Sequence, residues 1–219
     1  WTNHRDDEYG GSLRNRVRFP AAVMARVRAV LGPDVPILVK MNQRDGMGGG
    51  LELDEAVQVA RAFEAAGASA LVPSCGFTAR TPLYMLRGDV PTWEFARAQE
   101  KVVTRVGMAA FGWALVQRYP YASRFLLEGA RRIRDAVNIP VGYIGGVTSL
   151  DEMDELVDEG FAFVQVGRST IRDPDFVRHL VSGRLQQSDC DHCNRCIASM
   201  SVDGVRCFRT EPLPEEAGA

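Results

Sequence analysis

Residues 141–185 read VGYIGGVTSLDEMDELVDEGFAFVQVGRSTIRDPDFVRHLVSGRL, and this stretch decides the fold. Two short apolar runs, Val141 to Ile144 and Phe161 to Val166, are each followed by glycine and then by helical periodicity. Neither run alternates cleanly between polar and apolar residues, which is the habit of a strand buried on both faces. Between them Ser149 and Glu152 form a Ser-x-x-Glu capping box, in which each side chain satisfies a free backbone amide of the other. Gly160 ends that helix. Asp173 and Pro174 are expected as N-cap and first residue of a further helix, through Phe176, Val177, Leu180 and Val181 to Gly183. Apolar strands linked through helices predict a parallel sheet covered by helices.

The same unit recurs towards the N-terminus. Phe19, Val23, Val27 and Val30 fall at i, i+4, i+8 and i+11, which predicts one buried helix stripe. Gly32 and Pro33 stop it, and Val35 to Met41 is the expected strand. A second helix presents Leu53, Ala56, Val57, Ala60 and Phe63, with Gly67 as its stop and Ala68 to Val72 as the next strand. Leu126, Gly129, Ala130, Ile133 and Val137 share one helix face ahead of Pro140. Right-handed crossovers leave a doubly wound sheet or a (β/α) barrel. Four strands are about half of the eight that close a TIM barrel.

Between these halves lies a lid-like excursion, residues 74–121, with Gly76, Pro82, Gly88, Pro91 and Pro120 and an expected helix from about Glu94 to Gln117. A stretch this irregular is either substrate-facing or a peripheral decoration. Residues 1–185 are therefore expected as barrel, and residues 186–219 as a Cys-rich appendage ending in the acidic run Glu211 to Ala219.

Composition narrows the function. Lys and Arg number 26 against 28 Asp and Glu, so the formal charge is −2 and the basic excess of a nucleic-acid surface is missing. No apolar run reaches the roughly 18 residues of a membrane span. The cysteines are Cys75 and then Cys190, Cys193, Cys196 and Cys207, which is not the spread of a secreted disulfide framework. A cytoplasmic protein with a metal-binding or thiol tail is the expectation.

Two strand ends carry the marks of a phosphate site: Gly145 and Gly146 after the first run of the opening stretch, Gly167 and Arg168 after the second. Glycines there let backbone amides approach a ligand, and in barrels the last two strand ends commonly hold phosphate. The competing reading is a tight corner, with Arg168 paired to Asp173 or Asp175. Lys40 is the odd residue of VPILVKM: near the end of a strand it either faces an anionic or electron-rich ligand, or reaches the rim and pairs with Asp45.

The most specific run is NHRDDEYGGSLRNRVRF, residues 3–19. With it the chain resembles the Old Yellow Enzyme family of NADH:flavin oxidoreductases, whose hallmark N-x-R-x-D-x-Y-G-G-S-x-x-N-R-x-R-F is met at every fixed position. The resemblance extends from Trp1 to about Leu185 and takes in GGVTS at Gly145 and VGRSTIRDPDF at Val166. It implies a (β/α)8 barrel holding FMN. Lys40 matches the basic residue beside the flavin, Gly145 and Gly146 the phosphate loop after the seventh strand, and Gly167 and Arg168 the phosphate site after the eighth. The implied reaction passes hydride from NAD(P)H through flavin to an activated C=C, in an enone, enoate or dienoyl-type small molecule. The family's H-x-x-H or H-x-x-N pair lies just upstream of the hallmark. His4, His179 and His192 do not take its place, so the catalytic pair is expected upstream of Trp1. The expectation is accordingly the C-terminal half of a family member, with only the last four β/α units, completed by the N-terminal half of the barrel or an oligomer partner, and inactive alone.

Cys190, Cys193, Cys196 and Cys207 form C-x-x-C-x-x-C-x10-C. Thiolates so spaced suit a four-iron four-sulfur cluster or a zinc ion. The run is similar to the cluster-binding C-x-x-C-N-x-x-C of the dienoyl-CoA reductase branch, one residue shorter between the second and third cysteines. Two other functions fit parts of the pattern: a flavin-free phosphate-binding TIM-barrel lyase or isomerase, and a non-catalytic fragment with a metal-binding Cys tail.

Overall fold

Helices and parallel strands alternate along the chain of the computed structural model, which describes residues 1–202 and 204–210, without the side chains of residues 113 and 115. The expected acidic run, residues 211–219, lies outside the described residues. The order is α1 (Leu13–Leu31), β1 (Leu38–Arg44), α2 (Leu53–Ala65), β2 (Ala70–Cys75), α3 (Pro82–Met85), α4 (Thr92–Arg97), α5 (Val102–Leu115) and α6 (Leu127–Arg134). Then follow β3 (Gly142–Ile144), α7 (Leu150–Asp158), β4 (Phe163–Gln165), α8 (Arg168–Arg172), α9 (Phe176–Val181) and α10 (Arg195–Ala198). They fall into two units. The first comprises Trp1–Met85, Arg124–Gly145 and Asp154–Gln165; the second comprises Leu86–Ser123, Gly146–Met153 and the described residues from Val166.

The first unit contains all four strands. β1 pairs in parallel with β2 and β3 with β4, and a parallel bridge between Leu71 and Val141 links the two pairs. Every residue of β2 is buried, as the central position of its apolar run requires. Leu71, Ile133, Tyr143, Leu156 and Phe161 are almost wholly enclosed, and α2 adds Leu53, Ala56, Ala60 and Phe63 to this core. Tyr143 packs edge-on against Phe161, and its hydroxyl donates to the carbonyl of Gly145 at 2.9 Å. Gln43 is buried on β1 and donates to the Leu126 carbonyl at 3.3 Å. Gly129 makes that possible, because a Cβ there would stand 1.6 Å from Gln43 Oε1.

Several local expectations shift. The first two strands begin later than Val35 and Ala68 because side-chain bonds claim the residues before them. Arg28 donates to the carbonyls of Gly32, Val35 and Gly67 and to Ser69 Oγ, and Ser69 Oγ accepts from the Ile37 amide. The stripe Phe19, Val23, Val27 and Val30 is not buried: these residues are 64%, 46%, 39% and 70% exposed, and only Met24 of α1 is buried. No described element of the first unit covers that face. The single helix expected from Glu94 to Gln117 is two, α4 and α5, interrupted at the polar run Gln99-Glu100-Lys101, where no proline or glycine marks a break.

Within the second unit the capping box forms as read: Glu152 N donates to Ser149 Oγ at 3.3 Å, and Ser149 N to Glu152 Oε2 at 3.2 Å. The last expected helix is shorter and starts at Phe176, with Asp175 at its N-cap. Asp173 instead accepts from the Asp175 amide at 3.0 Å and bonds His179 Nδ1 at 2.6 Å. Phe176 and Leu180 are buried, whereas Val177 and Val181 are exposed. Among the described residues no helix is long and apolar enough to cross a membrane.

Candidate functional site

The strand ends place the predicted residues in two groups. In the first unit Lys40 lies in β1, in register with Val72, and its side chain is exposed. Alternation along the strand sends Met41 and Gln43 to the buried side and leaves Lys40 and Asn42 on the other. The alternative partner is taken: the Asp45 carboxylate accepts from Asn42 Nδ2 at 2.8 Å and from the Leu51 amide at 2.8 Å. Lys40 has no ion-pair partner among the described residues. Gly145 ends the Arg124–Gly145 segment of this unit at φ 123°, a backbone conformation that favours glycine.

Gly146, Gly167 and Arg168 belong to the second unit. Gly146 has φ 76°, and its carbonyl accepts from the Tyr121 hydroxyl at 2.9 Å. Gly167 caps α8 and has open space where a Cβ would stand. Arg168 is paired with neither Asp173 nor Asp175. Its Nη1 donates to the Arg87 carbonyl and to Asn194 Oδ1, both at 2.7 Å.

Arg168 is thereby brought to the cysteine segment. One small cavity of the second unit is lined by Cys190, Cys193, Cys196, Cys207 and Arg168, together with Arg172 and Asn194. Burial raises the thiols of Cys190, Cys193 and Cys196, the last to about 11. Burial, helped by the charge of Arg168, pushes the His192 imidazole down to about 4. His192 stacks on Tyr121 with ring centroids 3.7 Å apart. Among the described residues no three His, Cys, Asp or Glu side chains converge as ligands of one metal ion. A single zinc needs all four sulfurs about 2.3 Å from one point. A four-iron cluster binds each thiolate to a different iron, so its ligands surround a volume rather than a point. The four cysteines line one cavity without converging on one point.

Sequence reasoning missed Asn194 as a structural centre. It is 1% exposed, adopts the left-handed conformation at φ 58°, and donates to the carbonyls of Leu86 and Asp89 at 2.6 and 2.9 Å. The available signal was an asparagine between cysteines in CDHCNRC, since Asn tolerates that conformation better than most residues. In the lid-like excursion, Trp93 is exposed and Arg80 lies over the Trp1 ring at 4.4 Å. Cys75 is buried beside Met85, as a small hydrophobe would be.

With this geometry in hand, known proteins can be compared. The model of the NADH:flavin oxidoreductase / NADH oxidase family matches residues 1–78, which span the hallmark run, β1 and β2. A 4,4'-dithiodibutanoate disulfide reductase of Rhodococcus erythropolis is 35% identical over 212 residues, covering 96% of this chain and 52% of the relative. The likeness to that family thus begins with the family's own model over residues 1–78 and, in the first relative, runs along 96% of the chain. An NADH oxidase of Thermoanaerobacter brockii is 30% identical over 208 residues, covering 94% of this chain and 27% of that protein. The chain thus spans about half of the first relative's length and about a quarter of the second's. A 2-naphthoyl-CoA reductase structure superposes with a TM-score of 0.71 at 21% identity, over 95% of this chain and 28% of that one. The fold is accordingly a partial Old Yellow Enzyme-like TIM barrel. This is an oxidoreductase family that works with flavin and a nicotinamide reductant.

Proposed function

We propose that this chain is the C-terminal half of an FMN-dependent oxidoreductase that passes hydride from NAD(P)H to an activated C=C of a small molecule. The observation carrying the reading is the pair of glycine ends after β3 and β4, Gly145-Gly146 and Gly167-Arg168, on consecutive parallel strands that follow an intact hallmark run. FMN, when bound, supplies a ring that accepts hydride from the nicotinamide and delivers it to the acceptor. The chain's own residues bind and orient. Gly145 and Gly146, both at positive φ, turn the backbone tightly enough to offer amides to a phosphate. The unfilled space at Gly167 allows the same close approach. Lys40, exposed and without a carboxylate partner among the described residues, contributes a positive charge suited to an electron-rich ring edge.

The proton donors that would polarise the acceptor are the H-x-x-H or H-x-x-N pair assigned upstream of Trp1, so catalysis belongs to the whole protein. The exposed stripe on α1 is proposed to meet the preceding β/α units of the same barrel. The cysteine run is proposed to hold a four-iron four-sulfur cluster, and the protein to work in the cytoplasm.

The test uses the full-length protein, reconstituted with FMN and reduced anaerobically with NADPH or NADH. Saturable reoxidation of the flavin by cyclohexenone is the expected result. A protein that takes up no FMN, or whose flavin neither nucleotide reduces, overturns the reading. A second acceptor is favoured by one observation, the 35% identity to a disulfide reductase. Its balance is NAD(P)H + H⁺ + RSSR → NAD(P)⁺ + two RSH. Faster reoxidation by 4,4'-dithiodibutanoate than by cyclohexenone would select it.

A further inference from the structure

We propose that α5 is an interfacial helix, which lays one apolar face into the surface of a bilayer rich in anionic lipid. The inference goes beyond the flavin reading and does not depend on it.

The sequence sets an apolar run inside a basic segment. From Val106 to Val116 there is no charged residue. From Lys101 to Ser123 there is no acidic one, while Lys101, Arg105 and Arg118 are basic. The whole chain has a formal charge of −2, so this segment runs against the average. All three basic residues are exposed. Glu100, next to Lys101, leaves the local charge positive, and Glu94 of the neighbouring α4 accepts from Arg195 Nε at 2.6 Å.

The helix turns the apolar residues to one side. α5 meets α4 on the side of Gly112, where a Cβ would stand 3.4 Å from Thr92 Cβ. At about 3.6 residues per turn, Val103, Val106 and Ala110 fall opposite Gly112, with Val102 and Phe111 at the two margins. These five span about half of the circumference, and Thr104 and Arg105 fall outside that arc. The arc is the side left in water: Val102, Val103, Val106 and Phe111 are 68%, 85%, 61% and 62% exposed. A surface helix normally turns such a face to the core.

Length and charge select the occupant. With 14 residues α5 is about 21 Å long, short of the roughly 30 Å of a bilayer's hydrocarbon core, so it lies at the interface and does not cross. A second copy of this face would set one positive segment against another, and like charges across an interface repel. Anionic headgroups reverse the sign. Each Lys or Arg near them draws the helix to the surface, while the apolar face enters the boundary of the acyl chains. The long stems of Lys101, Arg105 and Arg118 let their charged heads stay among the headgroups.

The experiment is co-sedimentation of the full-length protein with vesicles of equimolar phosphatidylcholine and phosphatidylglycerol, and with vesicles of phosphatidylcholine alone. Wild type is compared with Val103→Asp/Val106→Asp and with Lys101→Gln/Arg105→Gln/Arg118→Gln, each checked for folding by circular dichroism. Wild type is expected to bind the mixed vesicles and not the neutral ones, and added salt to weaken that binding. The Gln variant should lose about fivefold in affinity for each charge removed, and the Asp variant should not bind. Wild type that stays in solution with the mixed vesicles overturns the proposal, as does equal binding to both kinds or unchanged binding of either variant. An Asp variant that fails to fold also overturns it, because the face is then packed inside the whole protein. A wild-type dimer that the Asp substitutions dissociate, without vesicle binding, assigns the face to a second copy instead. Each of these outcomes leaves the flavin reading as it stands.

Discussion

The two units are held together by different forces. The first is a sheet-and-helix core: Leu71, Ile133, Tyr143, Leu156 and Phe161 are shut away from water on regular elements. Besides the 14-residue α5, the second has short helices, of 4 to 6 residues in α4, α8, α9 and α10, fastened by directed bonds. Asn194 makes three of these bonds, Arg195 reaches Glu94 at 2.6 Å, and Arg172 grips Asp189. Burial is non-directional and tolerates small shifts, whereas hydrogen-bond networks fail when one member is lost. The regular unit is therefore a scaffold, and the bonded unit is where the charge and thiols of the candidate cluster site are arranged.

Four changes would break or sharpen that contrast. The largest effect is expected from Leu71→Ala in β2, which removes a wholly buried side chain from the first core. It should cost about 2–5 kcal/mol, read as a lowered urea midpoint. Next comes Asn194→Ala, which strands the carbonyls of Leu86 and Asp89 and frees Arg168. A loss of about 1–3 kcal/mol is expected, with faster hydrogen exchange confined to the second unit. Equal acceleration in β2 would contradict the division. Ser149→Ala removes one half of the capping box and should lower stability by about 1 kcal/mol, checked by thermal melting.

The smallest effect concerns pH. The guanidinium of Arg131, hydrogen-bonded to Glu159 and seconded by Arg134, holds the Glu159 carboxyl below its ordinary value of 4.5. A depressed carboxylate stabilises the fold above its unfolded value, and that contribution is lost as pH falls through the lower folded one. The pair is solvent-exposed and screened by salt, so the slope should be slight. Below pH 4.5, stability should fall less steeply with decreasing pH in Glu159→Gln than in wild type.

Local patterns were legible where neighbours in the chain decide them. The capping box at Ser149 and Glu152, the helix stop at Gly67 and the parallel order of strands were all readable from spacing. The stripe on α1 was correctly apolar and correctly helical, yet nothing in its period tells whether a neighbour covers it. The gap between α4 and α5 was invisible because no residue there breaks a helix by itself. Arg168 was legible as a ligand-seeking cation but its bond to Asn194 was not, because that bond spans 26 residues and the bonds of Asn194 to the lid span 105 and 108.

By itself, then, the sequence determined the alternation of apolar strands and helices, the glycine strand ends, the four-cysteine spacing and, through the hallmark run, the likeness to a flavin oxidoreductase family. Those are matters of period and of adjacent residues, governed by backbone sterics and local capping. Only the tertiary structure decided that Lys40 stands free of Asp45, that α1 keeps an uncovered apolar face, and that Arg168 turns to the cysteines rather than to Asp173. Each depends on which distant groups compete for one donor or one surface, and that competition is settled when the chain folds.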